Sequence, residues 1–156
     1  MSDNESMRDI TFTEELFKDM YQEAMPLVEK HYDEIAHYQD IPLDPDVEMY
    51  KSMEDIGILK VFTARKAGNL VGYAVFIVKP NPHYKTSMQA IQDVIFIHPR
   101  YRGFGRKFID WIDQTIHKNY QTDVHYQHVK AAHDFGKMLE TLDYKLIDYI
   151  YGRRMT

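Results

Sequence analysis

Residues 95–113 read IFIHPRYRGFGRKFIDWID. An apolar run stops at Pro99, Gly103 and Gly105 sit among Arg100, Arg102, Arg106 and Lys107, and an amphipathic helix pattern follows. Those four cations, with no acid between them, belong to a chain of net charge −5. Free N–H groups at a helix start, added to the positive end of its dipole, make an anion site. Glycines let the backbone approach a phosphate without a Cβ in the way, so the arrangement suits a pyrophosphate. Two familiar phosphate loops are excluded. A dinucleotide fingerprint needs a third glycine where Phe108 stands, and a P-loop needs Gly-Lys-Ser or Gly-Lys-Thr, which is absent. Taken alone, the segment also reads as a surface turn with charged neighbours.

Other chemistry-bearing residues are scattered. Asp93 lies four residues before Ile97, and strand alternation puts both on one face. In HYDEIAH, His31, Glu34 and His37 recur every third residue along a drifting helical stripe. Zinc helices favour histidines at i and i+4, so a solvated helix end is the plainer reading and no metal is expected. His125 and His128, three apart on a strand, face opposite sides and cannot share a metal. The chain has no cysteine, which removes disulfides and thiolate nucleophiles.

The elements that must position these residues are legible in outline. At 156 residues, with 44% hydrophobic and 28% charged residues, the chain reads as a single soluble domain over 1–156. No apolar run is long enough to span a membrane. The acidic start MSDNESMRD is no leader, which fits a cytoplasmic protein, and residues 1–7 are expected to be disordered. Net negative charge argues against broad nucleic-acid binding. Residues 8–12 suggest an edge strand. Leu16 to Ile35 carry a helical stripe, with Thr13 as its cap and Pro26 as a kink or break. A second helix is announced by Asp44, Pro45 and Gly57. LKVFTAR and LVGYAVFIV form a hairpin about Lys66-Ala67-Gly68-Asn69, and Pro80-Asn81-Pro82 breaks its second strand. A strand over 88–98 precedes the glycines, and the helix after them buries Phe108, Trp111, Ile112 and Ile116. VHYQHV, a helix over 132–142 and a final strand YKLIDYIYG complete the order β-α-α-β-β-β-α-β-α-β. The class is mixed α/β (α+β), a mostly antiparallel sheet of about six to seven strands flanked by helices on both faces.

Arg100-Tyr101-Arg102-Gly103-Phe104-Gly105, preceded by Ile97-His98-Pro99, resembles the Arg/Gln-x-x-Gly-x-Gly/Ala motif of the GNAT superfamily of N-acetyltransferases. The hairpin Ala67–Tyr73 and the stretch Phe135–Tyr144 also look like that family, and the element order matches from about residue 8 to 154. The GNAT proteins of phage genomes look similar in general style. The resemblance implies that acetyl-CoA is the cosubstrate, its pyrophosphate held by backbone from about Arg102 to Lys107, with Arg100, Tyr101, Gly103, Phe104, Gly105 and Arg106 forming the loop. Phe96 and Ile97 would hold the pantetheine arm as an added strand would, and an N–H there would polarise the thioester carbonyl. An amine then attacks the thioester directly in a ternary complex, with no metal.

A lysine-like amine is only about one part in two thousand neutral at pH 7, worth ~4–5 kcal/mol, so a proton acceptor is required. Asp93 is the first candidate, although the family's acid often sits one pleat away, where this chain has Ile91. Glu34 is the second, because this region borders the family's acceptor pocket, with His31, His83 and Tyr84 as further substrate contacts. The family's usual tyrosine acid is replaced by Leu139, and its usual asparagine is missing, with His133 nearby. Tyr126 is the substitute candidate. These losses motivate the alternative of a weak or inactive CoA-binding or interaction module. The acceptor can be a small-molecule amine, a protein lysine or an N-terminus. Asp33, Glu34, Asp40, Asp44 and Asp46 lean toward a cationic one, and Tyr144, Tyr149 and Tyr151 suggest a homodimer contact.

Overall fold

The computed structural model describes residues 8–155, so the expectation for residues 1–7 lies outside the described residues. In chain order the elements are β1 (Ile10–Glu15), α1 (Phe17–Ile35), α2 (Val47–Asp55), β2 (Leu59–Lys66), β3 (Asn69–Asn81) and β4 (Tyr84–Ile97). A 3₁₀ turn (Pro99–Phe104), α3 (Gly105–Tyr120), β5 (Val124–Tyr126), a second 3₁₀ turn (Ala131–His133) and α4 (Gly136–Glu140) follow.

The sheet runs in sequence order, β1-β2-β3-β4-β5, antiparallel throughout except for the parallel β4–β5 pair. The mixed class and flanking helices are as expected, but the described residues form five strands rather than six or seven. The missing one is YKLIDYIYG: residues 145–151 join no ladder. The foreseen break at 80–82 is instead a tight reversal, with Asn81 opposite Tyr84, so β4 begins four residues earlier than expected. The helix foreseen over 132–142 is divided into a 3₁₀ turn and the five residues of α4.

Both sheet faces are covered. Phe108, Ile112 and Ile116 of α3 pack on Phe62, Ala64, Ala74 and Phe76. Phe17, Met20, Ala24 and Leu27 of α1 pack on Val61, Tyr73, Val75 and Phe96 on the opposite face. Trp111 lies at the margin of the first cluster, against Phe12 and Phe62.

Two helix starts differ from expectation. Thr13 belongs to β1, and α1 is capped by a distant carboxylate: Glu54 of α2 accepts from the N–H groups of Phe17 and Lys18. Pro26 does not divide α1, which continues to Ile35. Asp46, not Asp44, caps α2 by accepting from Met49 N at 2.9 Å. Arg65 then ties α1 to the sheet, reaching Glu15 and Glu23 at 2.8 Å each.

The β2–β3 turn has both central residues left-handed, Ala67 at φ 48° and Gly68 at φ 81°. This is the turn whose twist suits a two-residue hairpin, but an alanine at positive φ carries a Cβ–carbonyl clash of about 1–2 kcal/mol. Ala67→Asn keeps the turn and tolerates that conformation. It should raise stability by about 1 kcal/mol, read as a melting temperature some 2–4 °C higher at this chain size.

Candidate functional site

β5 pairs with only Gln89, Ala90 and Ile91 of β4. Beyond that the two segments part: His128 N donates to the Gln92 side chain at 2.7 Å, and among the described residues the rest of β4 has no strand on that side. The gap between them is closed by the C-terminal end of α1, the start of α3 and the segment 133–138. Together they enclose a cavity of about 130 Å³. Its lining includes His31, Glu34, Phe96, Ile97, Arg102 and Gly105.

The glycine segment is wound more tightly than an open loop. His98 caps the 3₁₀ turn through Nδ1, which accepts from Arg100 N at 3.2 Å. Gly105 starts α3 with its own N–H bonded to Arg102 O. Of the groups assigned to phosphate, this one is therefore already satisfied. Neither glycine has a left-handed φ, so neither is required by the backbone conformation. A Cβ on Gly105 would sit 3.4 Å from Ile97 Cδ1. Phe104 is buried in the core, while Arg100, Gly103, Arg106 and Lys107 are exposed. Arg106 already donates to Thr141 Oγ1 and O, at 2.9 and 3.1 Å.

Arg102 points inward. Its Nη2 meets Glu34 Oε2 at 2.5 Å, its Nε donates to Ile97 O at 3.1 Å, and its guanidinium lies 5.8 Å from the Phe96 ring centroid. His133 Nδ1 approaches the other Glu34 oxygen at 3.2 Å. The hydrogen bond from Arg102 holds the Glu34 carboxyl below the usual carboxylate range. Glu34 is thus an anion at neutral pH and a poor proton acceptor while this pairing lasts. His31 lies tilted against the Phe96 ring, with centroids 4.9 Å apart. Burial lowers its pKa to about 4, so the imidazole is neutral at pH 7.

The proposed catalytic residues are not gathered in one place. Asp93 is the extra residue of a β-bulge, since Val75 pairs with Val94 and Phe76 with Gln92. The bulge breaks strict alternation. Ile97 packs on the α3 side, whereas Asp93 accepts from Tyr50 Oη of α2 at 2.6 Å, on the other side of the sheet. The expectation that Asp93 and Ile97 share a face is therefore corrected. Burial and Asp93 together push the Tyr50 hydroxyl pKa upward. Tyr126 and His83 line a separate depression with His128, and Tyr84 is 69% exposed. His133, Phe135 and Met138 complete the cavity wall. The sequence flagged His133 only as a neighbour of a missing asparagine. Among the described residues no group of three or more His, Cys, Asp or Glu could hold a metal ion, and no helix is long and apolar enough to cross a membrane.

No protein-family model and no curated protein matches the sequence. Solved structures do match. One is a ribosomal-protein-alanine N-acetyltransferase from Brucella melitensis biovar Abortus 2308, with 19% identity, 94% of this chain and 99% of that one covered, and a TM-score of 0.68. Another is an aminoglycoside acetyltransferase from an uncultured soil metagenomic sample, in complex with sisomicin, with 13% identity, 94% and 97% coverage and a TM-score of 0.68. A third is a predicted acetyltransferase with acetyl-CoA from Clostridium acetobutylicum, with 12% identity, 93% and 96% coverage and a TM-score of 0.66. The fold of this chain is that of the GNAT-type acetyltransferases.

The His31 environment has a sign that can be checked. Its folded pKa is below the unfolded value of ~6.5, so between pH 6.5 and 4 the unfolded chain binds more protons. Stability is then present above that window and falls as the pH drops through it. Glu34 adds its own loss only below its unfolded value, near pH 4.5. In His31→Gln, the melting temperature should fall less steeply between pH 6.5 and 4.5 than in the wild type. His98, also lowered by burial, retains part of the slope.

Proposed function

We propose that the protein is an acetyl-CoA-dependent N-acetyltransferase that acts on a primary amine. The observation that supports it best is the cavity itself, where the unpaired end of β4, the glycine start of α3 and the Glu34 anion converge. When bound, acetyl-CoA supplies the acyl carbon that an amine attacks and the thiolate that leaves.

The residues present fit such a molecule. A cavity of about 130 Å³ is smaller than the ~300 Å³ common for whole small-molecule sites. It suits an acyl group and the end of a pantetheine arm, with the nucleotide lying outside beside Arg100, Arg106 and Lys107. Phe96 and Ile97 offer the strand edge along which that arm lies. Gly105 leaves the room that a side chain would fill. Arg102 must release the Ile97 carbonyl for the edge to be used, and an anionic ligand gives it a reason to turn.

His31 and Glu34 divide the work on the acceptor. The Glu34 carboxylate attracts and orients an ammonium. Water takes one proton from that ammonium and exposes the nitrogen lone pair; after the attack His31, neutral at pH 7, accepts the second proton from the nitrogen that bonding to the acyl carbon has made acidic, so its low basicity is sufficient. Asp93 and Tyr126, outside the cavity lining, are left to packing and to the neighbouring depression. Leu139 is buried and cannot donate a proton, so the leaving thiolate takes its proton from water.

Excess acetyl-CoA should raise the melting temperature. At a hundred times Kd the stabilisation is about 2.7 kcal/mol, roughly 5–10 °C at this size. Gly105→Glu, which puts a carboxylate into the cavity, should abolish the shift while leaving the far-UV circular dichroism unchanged. No shift in the wild type would reject the reading and favour a domain that acts through partners alone.

A second comparison separates binding from chemistry. Glu34→Gln should leave acetyl-CoA affinity equal or tighter, because Arg102 loses its anionic partner. The KM for a polyamine should rise about tenfold, equivalent to ~1.4 kcal/mol. Asp93→Asn should leave the rate of amine-dependent thiol release within about twofold of wild type, under ~0.5 kcal/mol in barrier. A large loss in that variant would return the base to Asp93.

A further inference from the structure

Glu34 carries its charge in an unfavourable place. It is the next-to-last residue of α1, whose last turn holds no basic residue, so the negative end of the helix dipole repels the carboxylate. The donors that stabilise it come from elsewhere in the chain. Arg102 takes Oε2, and among the described residues His133 is the one side chain that reaches Oε1, at 3.2 Å.

His133 is held where it can do this. It ends the 3₁₀ turn Ala131–His133, which packs against α1, and its N–H donates to Lys130 O at 3.0 Å. Asp134 then leads the chain into α4 by accepting from Gly136 N at 2.8 Å. Upstream, His128 N is tied to the Gln92 side chain. The segment is thus anchored before and after the imidazole, which lines the cavity beside Phe135, with ring centroids 6.3 Å apart.

The contact also fixes the tautomer. An ionised carboxylate only accepts, so Nδ1 carries a hydrogen toward Glu34. The lone pair of the neutral ring is then on Nε2, which points away from Glu34. An ammonium held on Glu34 lies on the wrong side of the imidazole to give it a proton. The ring serves the carboxylate.

That service is needed once an anion arrives. Arg102 must leave the Ile97 carbonyl for the β4 edge to be used, and an anionic ligand draws the same guanidinium off Glu34. A carboxylate released at a helix C-terminus, on a long side chain with many rotamers, swings into solvent unless a donor keeps it.

We infer that His133 is a positioning residue, which holds the Glu34 carboxylate at the cavity wall when an incoming anion takes Arg102 away. This rests on the acetyl-CoA reading of the cavity. Arg102 leaves more readily because Glu34 is not left bare, so His133 favours cofactor binding through a residue the cofactor itself does not need. Glu34 also stays turned toward the acceptor.

The test is a double-mutant cycle on acetyl-CoA affinity, measured by titration calorimetry. His133→Phe keeps a ring, removes the donor and should weaken binding about fivefold. In the Glu34→Gln background, where there is no charge to hold, the same substitution should change affinity by less than about twofold. His133→Asn, whose amide N–H stands in for Nδ1–H, should bind within about twofold of the wild type. The His133 side chain is 44% exposed, so far-UV circular dichroism should be unchanged in every variant. A ring that merely supports the fold or touches the cofactor gives the same loss in both backgrounds. Equal losses, no loss in His133→Phe, or no rescue by His133→Asn would overturn the inference and leave the cofactor reading standing. No binding by the wild type would overturn both.

Discussion

The pairing of β3 with β4 is the constraint from which the rest of the molecule follows. It runs from Asn81↔Tyr84 to Gly72↔Ile97 and forms the centre of a sheet that is buried on both faces. At its far end the two strands come very close. A Cβ on Gly72 would stand 3.2 Å from Phe96 O and 3.3 Å from Ile97 Cγ1. Pairing continues to His98 N, which donates to Val71 O at 2.8 Å, and Pro99 then ends β4 and turns the chain into the 3₁₀ segment and α3. The cavity inherits its position from the end of β4, because Phe96 and Ile97 supply one wall and Gly105 and Ile109 another. The bulge midway along the same ladder re-aims one carboxylate. Asp93 turns toward Tyr50, and the anion left beside the cavity comes from α1 instead.

Asp113 plays a comparable role on the other side. One carboxylate receives His125 from β5 and Tyr144 from the root of the C-terminal segment. Behind His125, Nε2 meets the buried Thr122 hydroxyl at 2.5 Å. The order hydroxyl, imidazole, carboxylate has the look of a nucleophilic relay, but Thr122 is only 2% exposed and no substrate could reach it. The network positions structure: it holds β5 at the sheet's end and fixes where the C-terminal segment departs. Burial and the adjacent Asp113 charge raise the Tyr144 hydroxyl pKa well above its ordinary range, so the donor remains protonated.

What could be read in the sequence was what local chemistry decides. The hairpin at 66–69, the stripe of α3 and the glycine start of that helix are set by residues close in the chain, and all three are present. That Phe96, Ile97, Arg102 and Gly105 line one cavity is local for the same reason, since they lie within ten residues. The misses are long-range. Glu54 caps α1 from 36 and 37 residues away, which hides the start signal that Thr13 seemed to offer. The bulge at Asp93 depends on how many residues β3 places opposite it, and the sequence of β4 alone cannot count them. YKLIDYIYG has the composition of a strand, but composition does not decide whether a ladder takes a segment up, and residues 145–151 join none. Glu34 stood out among acidic neighbours without any sign that Arg102, 68 residues on, would hold it.

That ion pair gives the proposed chemistry an order. With Arg102 on Glu34 and on the Ile97 carbonyl, one guanidinium blocks the strand edge and quiets the carboxylate at once. Two unit charges 4 Å apart near a protein surface attract by about 4 kcal/mol, and solvent at this partly exposed pair reduces what that is worth to stability. An incoming polyanion can therefore outbid Glu34 for Arg102 at modest cost. Two consequences are then coupled. The Ile97 carbonyl is freed for the arm of the cofactor, and Glu34 loses the partner that lowered its pKa, becoming a better site for an ammonium. The acceptor pocket gains its full charge only after the cofactor is in place, which makes binding of the cofactor first the physically favoured sequence.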